Sequence, residues 1–276
     1  MNSKILAKQK PRKMPTSVMQ GSRILGQTGG RSAQIFNSEK SAGMCSAESP
    51  LEKTIGQLAN LDPRVITVRP QPFTIDVVTG GFLHTREEVK QHRKSRERSE
   101  VREREYTPDF CFTLIDGKRI VVEVKDKRFP CHPSYWNKVE KAKRLMLSNG
   151  YIFRIIYMEY EPASALVHNA DLLTSLQINF RNTIADTQIK AIDLHIGNSI
   201  AYLGEVAQTA GLTLREAPIL LLRGIISADL SVGHLSFLTP VRQAYGELQH
   251  LEVLSYQEIQ NEPADGSAQR NHYEIL

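Results

Sequence analysis

The chain has 276 residues, of which 41% are hydrophobic and 24% are charged, and its formal net charge at pH 7 is +5. This length and apolar fraction predict two modest domains with ordinary hydrophobic cores. No run of 18 or more apolar residues and no signal-peptide pattern occurs, so we expect a cytoplasmic protein without a membrane partner. Cys45, Cys111 and Cys131 are widely spaced, which is typical of a reducing compartment and excludes a disulfide-rich secreted class.

Residues 1–46 predict a basic flexible arm. Glycine and serine are frequent in this segment, and its apolar residues show little periodicity. Five basic residues lie near its start: Lys4, Lys8, Lys10, Arg12 and Lys13. Two interpretations stay open, namely an arm that follows nucleic-acid phosphates and a tail that only increases solubility.

The segment from Ser49 to Leu61 predicts an amphipathic helix. Its apolar residues recur at helical spacing: Leu51, Ile55, Leu58 and Leu61. Pro50 favours the start of this helix, and Asp62 followed by Pro63 favours its end. Glu52 lies beside the apolar stripe in the first turn. Taken alone, it is a carboxylate that the helix dipole favours at that end.

Two segments separate this helix from the next strong motif. Residues 64–79 predict strand structure interrupted by Pro70 and Pro72, which indicates an edge strand or a bulge because proline cannot donate a ladder hydrogen bond. Residues 84–105 hold eight Lys or Arg and six Glu, a density typical of a solvent-exposed helix or loop. The alternative for this block is a loop that supplies arginines to a DNA backbone.

Residues 106–125 predict a β-hairpin, and its register decides whether a site exists. A two-residue loop would pair Asp109 with Val124, which places Asp109 on the wrong face. A three-residue loop at residues 115–117, with Gly117 in the left-handed conformation, pairs Asp109 with Glu123 and leaves Lys125 two residues along. We predict the three-residue loop.

The hairpin carries charged residues where the strand is otherwise apolar. Burying Glu123 and Lys125 is costly unless a bound cation compensates the charges. We expect Mg²⁺, or alternatively Mn²⁺, held by Asp109 and Glu123 with Glu52 as a third acid, because hard cations prefer oxygen ligands. Lys125 would orient an attacking water or neutralise developing charge, which makes these four residues the candidate catalytic set for phosphodiester hydrolysis. The alternative is that Glu123 and Lys125 form the solvated face of an edge strand.

A further helix and strand should complete a layered domain. Ser134 is a candidate N-cap, and Asn149 followed by Gly150 indicates the helix end. Residues 151–160 predict a buried strand, so the segment after the hairpin forms a β-α-β crossover, which should be right-handed. The fold class predicted for residues 47–161 is therefore α/β, with a mixed sheet flanked by helices.

Residues 162–256 predict a helical, winged-helix-like domain. Helices are expected at 163–180 and 184–195, followed by a helix that Gly211 ends, a second helix from Thr213 to Leu222, and a strand pair or wing at 235–242. The second of these short helices is apolar, which favours protein contact over base reading. Residues 257–276 are polar and predict a disordered tail.

Together these motifs resemble the PD-(D/E)xK nuclease superfamily, and within it the TnsA endonuclease subunits of heteromeric cut-and-paste transposases. The resemblance rests on the helix carrying Glu52, the strand segment 68–73, the Pro-Asp-Phe sequence at Asp109, and Glu123 followed by Lys125. It covers about residues 45–160, with good motif order. It implies a restriction-endonuclease-like fold and assigns Glu52, Asp109, Glu123 and Lys125 to the family's catalytic positions.

The resemblance also implies a function and partners. In that family the nuclease cuts double-stranded DNA at the 5′ ends of a bacterial transposon, and a DDE-type transposase cuts and joins the 3′ ends. The C-terminal domain docks onto other transposition proteins, which include an AAA+ ATPase regulator, so a nucleoid-associated location follows. Two alternatives are a stand-alone restriction or repair endonuclease and a catalytically silent DNA-binding assembly module.

Overall fold

The computed structural model describes residues 21–22, 33–41, 44–94, 96–179 and 184–244. The helices are α1 Pro50–Leu61, α2 Arg86–Arg93, α3 Arg98–Arg104, α4 Pro133–Ser148, α5 Ala165–Asn179, α6 Asp186–Ile196, α7 Leu203–Thr209 and α8 Pro218–Leu222. The strands are β1 Gln34–Phe36, β2 Cys45–Ala47, β3 Val65–Pro70, β4 Thr74–Asp76, β5 Gly81–Leu83, β6 Glu105–Tyr106, β7 Phe110–Leu114, β8 Arg119–Asp126, β9 Ile152–Met158, β10 Ala201–Tyr202, β11 Ile226–Ser227 and β12 Pro240–Gln243. The chain is therefore a mixed α/β protein.

The largest sheet has the strand order β3-β7-β8-β9. The pairs β3–β7 and β7–β8 are antiparallel, whereas β8 and β9 are parallel and joined through α4, as the β-α-β pattern predicts. One hydrophobic cluster packs α1, α5 and the C-terminal helices against one face of the sheet, and a second cluster packs α4 against the other. The central strand β8 is consequently covered on both sides.

The hairpin between β7 and β8 has the predicted three-residue loop. Phe110 pairs with Val122 and Thr113 pairs with Arg119, which is the register that brings Asp109 and Glu123 to the same level. Gly117 has a φ of 83°, a left-handed conformation that glycine adopts without a Cβ penalty. Its N–H donates to the carbonyl of Leu114 at 2.9 Å and closes the turn.

Helix α1 begins and ends as its sequence predicts. Ser49 is the N-cap, and its hydroxyl accepts from the backbone N–H of Glu52 at 3.2 Å. Asp62 ends the helix. Ten of the twelve α1 residues are buried, including the polar Gln57 and Asn60, because the helix lies between the sheet and α5. Polar bonds join the two helices: Lys53 and Gln57 donate to Asp171, and Asn60 donates to Gln177.

The segment before the hairpin forms an edge strand and a second small sheet. Strand β3 is at the edge of the main sheet, with a register shift after Val65, so the proline-based prediction is confirmed. After Pro72 the chain enters β4, the middle strand of the sheet β5-β4-β6. Helices α2 and α3 expose most of their charged residues, as expected. His92 of α2 nevertheless bonds to the buried carboxylates of Asp76 and Glu105 and ties α2 to this sheet.

Two local predictions before α5 need correction. Structure begins before residue 47, because β1 and β2 pair and bury Phe36 and Cys45 against α1. Residues 1–20, 23–32 and 42–43 of the predicted arm lie outside the described residues. The N-cap of α4 is His132, whose side chain accepts from the N–H of Ser134, since Pro133 already occupies the first helical position. The predicted end of α4 is confirmed, with Asn149 as C-cap and Gly150 at a φ of 73°.

The C-terminal part contains helices α5 to α8 and a three-stranded sheet of order β10-β12-β11. The predicted helix from residue 200 begins later, because Ala201 and Tyr202 pair with β12 first. The predicted helix from Thr213 is shortened to α8, since residues 214–217 form turns. Apolar residues of α8 are buried in the chain's own core, so packing explains their sequence without a partner: Ile219, Leu220 and Leu221. The predicted tail, 257–276, lies outside the described residues.

No helix in the described ranges has the length and apolar character needed to cross a membrane.

The close packing of α1 against the sheet can be tested at Gly56. A Cβ at this position would lie 2.3 Å from the ring of Phe36 and 3.1 Å from that of Phe110. We expect Gly56→Ala to lower the free energy of unfolding by about 1–3 kcal/mol, because overpacking outweighs alanine's better helix propensity. Thermal unfolding measures the change, and Gly81→Ala, which meets only Thr79 at 3.5 Å, is the control. Equal melting temperatures for wild type and Gly56→Ala would refute this close packing.

Candidate functional site

Glu123 is the centre of a hydrogen-bonded cluster on β8. It is 2% exposed, and it lies on the face of the sheet that α4 covers. Its Oε2 accepts from the hydroxyl of Tyr106 at 2.6 Å, and its Oε1 accepts from the hydroxyl of Tyr135 and from the ammonium of Lys125. A buried carboxylate requires such partners, since an isolated charge in a low-dielectric interior is very costly.

Asp109 precedes β7 and is held mainly through its backbone. Its N–H donates to the carbonyl of Val122, and its carbonyl accepts from the N–H of Gln71 at 2.8 Å. Its side-chain Oδ2 accepts from the N–H of Val124 at 2.7 Å. Within the described part of the chain, no hydrogen bond reaches the other oxygen, Oδ1. Asp109 is half-buried as a residue.

Electrostatics show that three carboxylates share this region. Burial raises the pKa of Asp109 well above its usual value, and the charges of Glu123 and Glu52 raise it further. Lys125 and the N–H of Val124 oppose the rise. The charges of the predicted residues Glu52, Glu123 and Lys125 therefore all act on Asp109, although Glu52 is on a helix and the other three are on the hairpin.

Glu52 has both of the roles that its position suggests. Its Oε1 accepts from the hydroxyl of Ser49 at 2.8 Å, and its Oε2 accepts from the N–H of Glu48 at 2.7 Å, so it helps to cap α1. Burial raises its pKa to about 7, against the effect of these hydrogen bonds and of Lys125. The nearby charge of Glu48 contributes to the rise. A carboxyl with this pKa can exchange a proton near neutral pH.

Lys125 remains a cation in this environment. Burial alone would lower its pKa, but attraction to Glu123 and Asp109 outweighs burial and raises the pKa above its ordinary value. Its ammonium also lies 5.0 Å from the centroid of the Tyr135 ring, within cation–π range. Lys125 can therefore stabilise negative charge, but it cannot serve as a general base at neutral pH.

Three site residues were missed from the sequence: Tyr106, Tyr135 and Gln71. Tyr106 stands three residues before Asp109, and Tyr135 lies in the first turn of α4, but nothing local indicates that both reach Glu123. Gln71 is buried with a φ of 43°, a conformation that non-glycine residues adopt mainly where the surrounding structure requires it. Its side chain donates to Glu48 at 3.2 Å. The flanking prolines at positions 70 and 72 were the available signal for an unusual backbone.

The donor chemistry of the site suits a hard divalent cation. Carboxylate oxygens of Asp109, Glu52 and Glu123 are the ligand type that Mg²⁺ prefers, and a cation would relieve the repulsion that raises the pKa of Asp109. Across the described ranges, however, no three His, Cys, Asp or Glu side chains are already arranged as a complete metal-binding group. A cation here would need a small adjustment of these side chains or oxygens from its substrate.

Comparison with known proteins found no family model that matches this chain, and no curated protein matches it either.

The raised pKa of Glu52 predicts how stability depends on pH. Glu52 binds a proton more tightly in the folded state than in the unfolded chain, where its pKa is near 4.5. Protonated Glu52 therefore adds to the free energy of unfolding, fully so below pH 4.5. This stabilisation is lost as the pH rises through about 7. We expect Glu52→Gln to reduce the decline in unfolding free energy between these values, measured by denaturant titration in metal-free buffer.

Glu216→Gln is a matched control for this measurement. Glu216 also accepts from the hydroxyl and the N–H of a nearby residue, Thr213, but these hydrogen bonds lower its pKa. Its replacement should leave the pH dependence above pH 5 unchanged. If wild type and Glu52→Gln decline with identical slopes, Glu52 does not lie in the low-dielectric site described above.

Proposed function

We propose that this chain is a metal-dependent DNA endonuclease, the TnsA-type subunit of a heteromeric transposase. The observation that carries the proposal is the hairpin register, which places Asp109 at the level of Glu123 and next to Lys125, while the charges of Glu123, Glu52 and Lys125 all act on the pKa of Asp109. Carboxyls with strongly shifted pKa values occur preferentially at functional sites. The sheet β3-β7-β8-β9, with α1 on one face and α4 on the other, agrees with a restriction-endonuclease-like fold.

Each residue has a definite part in the proposed hydrolysis. Asp109 Oδ1, with oxygens of Glu123 and Glu52, would hold Mg²⁺ or Mn²⁺, which when bound supplies charge neutralisation and a more acidic water. Lys125 stabilises the negative charge that develops on the phosphate, because it stays protonated at neutral pH.

The C-terminal part is consistent with a winged-helix-like domain. Its element order is α6, β10, α7, α8, β11, β12, with β12 between the other two strands. The apolar side of α8 is buried in the chain's own core, so it does not identify a partner. On the resemblance to TnsA subunits, we propose a DDE-type transposase and an AAA+ ATPase as partners, transposon ends as the DNA, and a cytoplasmic, nucleoid-associated location in a bacterium.

Cleavage of transposon-end DNA tests the proposal directly. The chain is mixed with the transposase encoded beside it and with duplex DNA from the ends of the element, in Mg²⁺ or in EDTA. We expect Mg²⁺-dependent cuts at the 5′ ends, and little cleavage by the chain alone. Asp109→Ala should reduce cleavage at least about 100-fold, because it removes one of the proposed ligands of the metal ion.

Asp116→Ala is the matched control for Asp109→Ala. Asp116 lies in the exposed turn of the same hairpin, where its partner is Lys118, so its replacement should leave cleavage unchanged. Wild-type cleavage by Asp109→Ala would contradict the assigned site. Complete absence of Mg²⁺-dependent cleavage with the partner present would instead favour a silent assembly module.

A further inference from the structure

We infer that Tyr106 and Tyr135 are positioning residues of this site: their hydroxyls hold Glu123 so that a cation can reach it only through Oε2, and Tyr135 also orients Lys125. The inference rests on the proposed function, because it concerns the same site. Neither tyrosine belongs to the four residues that the sequence motifs indicate, and both are needed to explain how Glu123 is held.

The number of acceptor positions on Glu123 limits where a cation can bind. A carboxylate offers about four lone-pair sites. Oε1 receives two donors, the Tyr135 hydroxyl and the Lys125 ammonium, and Oε2 receives one donor, the Tyr106 hydroxyl at 2.6 Å. One position on Oε2 is therefore left for a ligand. The carboxylate cannot rotate to offer Oε1 without breaking two charge-assisted bonds.

The two hydroxyls come from separate elements and enclose the carboxylate. Tyr106 lies on β6 of the small sheet and is 2% exposed, and its ring packs in the cluster that contains Phe73 and Val121. Tyr135 lies in the first turn of α4, with its ring against Trp136. Because β6 and α4 are fixed by their own packing, Glu123 is held from both sides in one rotamer.

Both tyrosine hydroxyls donate to Glu123, and that of Tyr135 also accepts from Lys125. Burial raises the pKa of each hydroxyl above the ordinary tyrosine value, and the charge of Glu123 raises it further. Each oxygen of Glu123 is therefore held by one tyrosine hydroxyl.

Tyr135 has a second contact that Tyr106 lacks. Its ring lies 5.0 Å from the Lys125 ammonium and 5.8 Å from that of Lys138. Lys125 is consequently held by a carboxylate and by an aromatic face, and its position does not depend on bound DNA. The two tyrosines should therefore differ, with Tyr106 acting on cation affinity alone and Tyr135 acting also on the chemical step.

Mn²⁺ binding to the full chain without DNA tests whether the two tyrosines hold Glu123 for a cation. Calorimetry at pH 7.5 compares wild type with Tyr106→Phe, Tyr135→Phe, Glu123→Gln and the double variant Tyr106→Phe/Glu123→Gln. We expect Tyr106→Phe to weaken Mn²⁺ about 10- to 100-fold, the usual effect of removing a hydrogen-bond partner of a metal ligand. In the Glu123→Gln background, Tyr106→Phe should cause no further loss, because it acts through Glu123.

Tyr151→Phe is the control for both phenylalanine variants. Its ring packs on Phe73 and Phe82 beneath Arg119, away from Glu123, so Mn²⁺ affinity should not change. Unfolding transitions identify any variant that fails to fold. Tyr135 is only half-buried, so Tyr135→Phe carries the test if Tyr106→Phe does not fold.

The outcomes separate this inference from the proposed function. If wild type binds no Mn²⁺ in the absence of DNA, the inference is overturned, and the proposed function fails as well if Mg²⁺-dependent cleavage with the partner is absent. If wild type binds Mn²⁺ but both phenylalanine variants bind it equally well, the inference alone is overturned. The inference is also overturned if Tyr106→Phe weakens Mn²⁺ binding equally in the wild-type and Glu123→Gln backgrounds, because that result would show a general structural effect.

Cleavage kinetics test whether Tyr135 also orients Lys125. With saturating Mn²⁺ and the partner transposase, Tyr135→Phe should lower kcat by at least about 10-fold with little change in KM, since the Lys125 ammonium loses one of its fixed neighbours. Tyr106→Phe should recover most of its rate when Mn²⁺ saturates. Equal residual rates for the two variants at saturation would contradict the separate role of Tyr135.

Discussion

A buried ion pair on an otherwise apolar strand is the constraint on which this structure depends. Glu123 and Lys125 lie on β8 among Ile120, Val122 and Val124, which are covered by the helical layers. The cost of removing two charges from water is offset only when their remaining hydrogen-bonding positions are filled. Tyr106 and Tyr135 fill two of the positions on Glu123 from elements on two sides. β6 and the start of α4 thus supply donors that a buried carboxylate requires.

The helix carrying Glu52 connects the two parts of the chain. Its N-terminus approaches the hairpin carboxylates, and its outer face is joined to α5 through Asp171, which accepts from Lys53 and Gln57. The Cβ-free surface at Gly56 lets Phe36 approach from the β1–β2 hairpin. The position of Glu52 is therefore set by the sheet, the N-terminal hairpin and the C-terminal helices together. A site built from such distant segments forms only when the whole fold is present.

Local sequence patterns predicted the elements of the site well. The α1 boundaries, the edge position of β3, the end of α4 and the register of the β7–β8 hairpin are all confirmed. Each depends on interactions within a few residues: a serine cap, a proline without an N–H, a glycine at positive φ. The errors arose where tertiary packing overrides propensity. Pairing with β12 converts residues 201–202 from helix to strand. The helix expected from Thr213 begins only at Pro218, after the turns at 214–217.

Turn chemistry was sufficient to place Asp109, Glu123 and Lys125 at one end of a hairpin, because Gly117 adopts the left-handed conformation and strand alternation then sets the face of each side chain. How these groups are held depends on contacts between distant parts of the chain. The hydroxyls of Tyr106 and Tyr135 reach Glu123 from 17 residues before it and 12 after it, and Glu52 reaches the site from a separate layer. Burial and Coulomb interactions depend on distances between chain-remote atoms, and no sequence period encodes those distances.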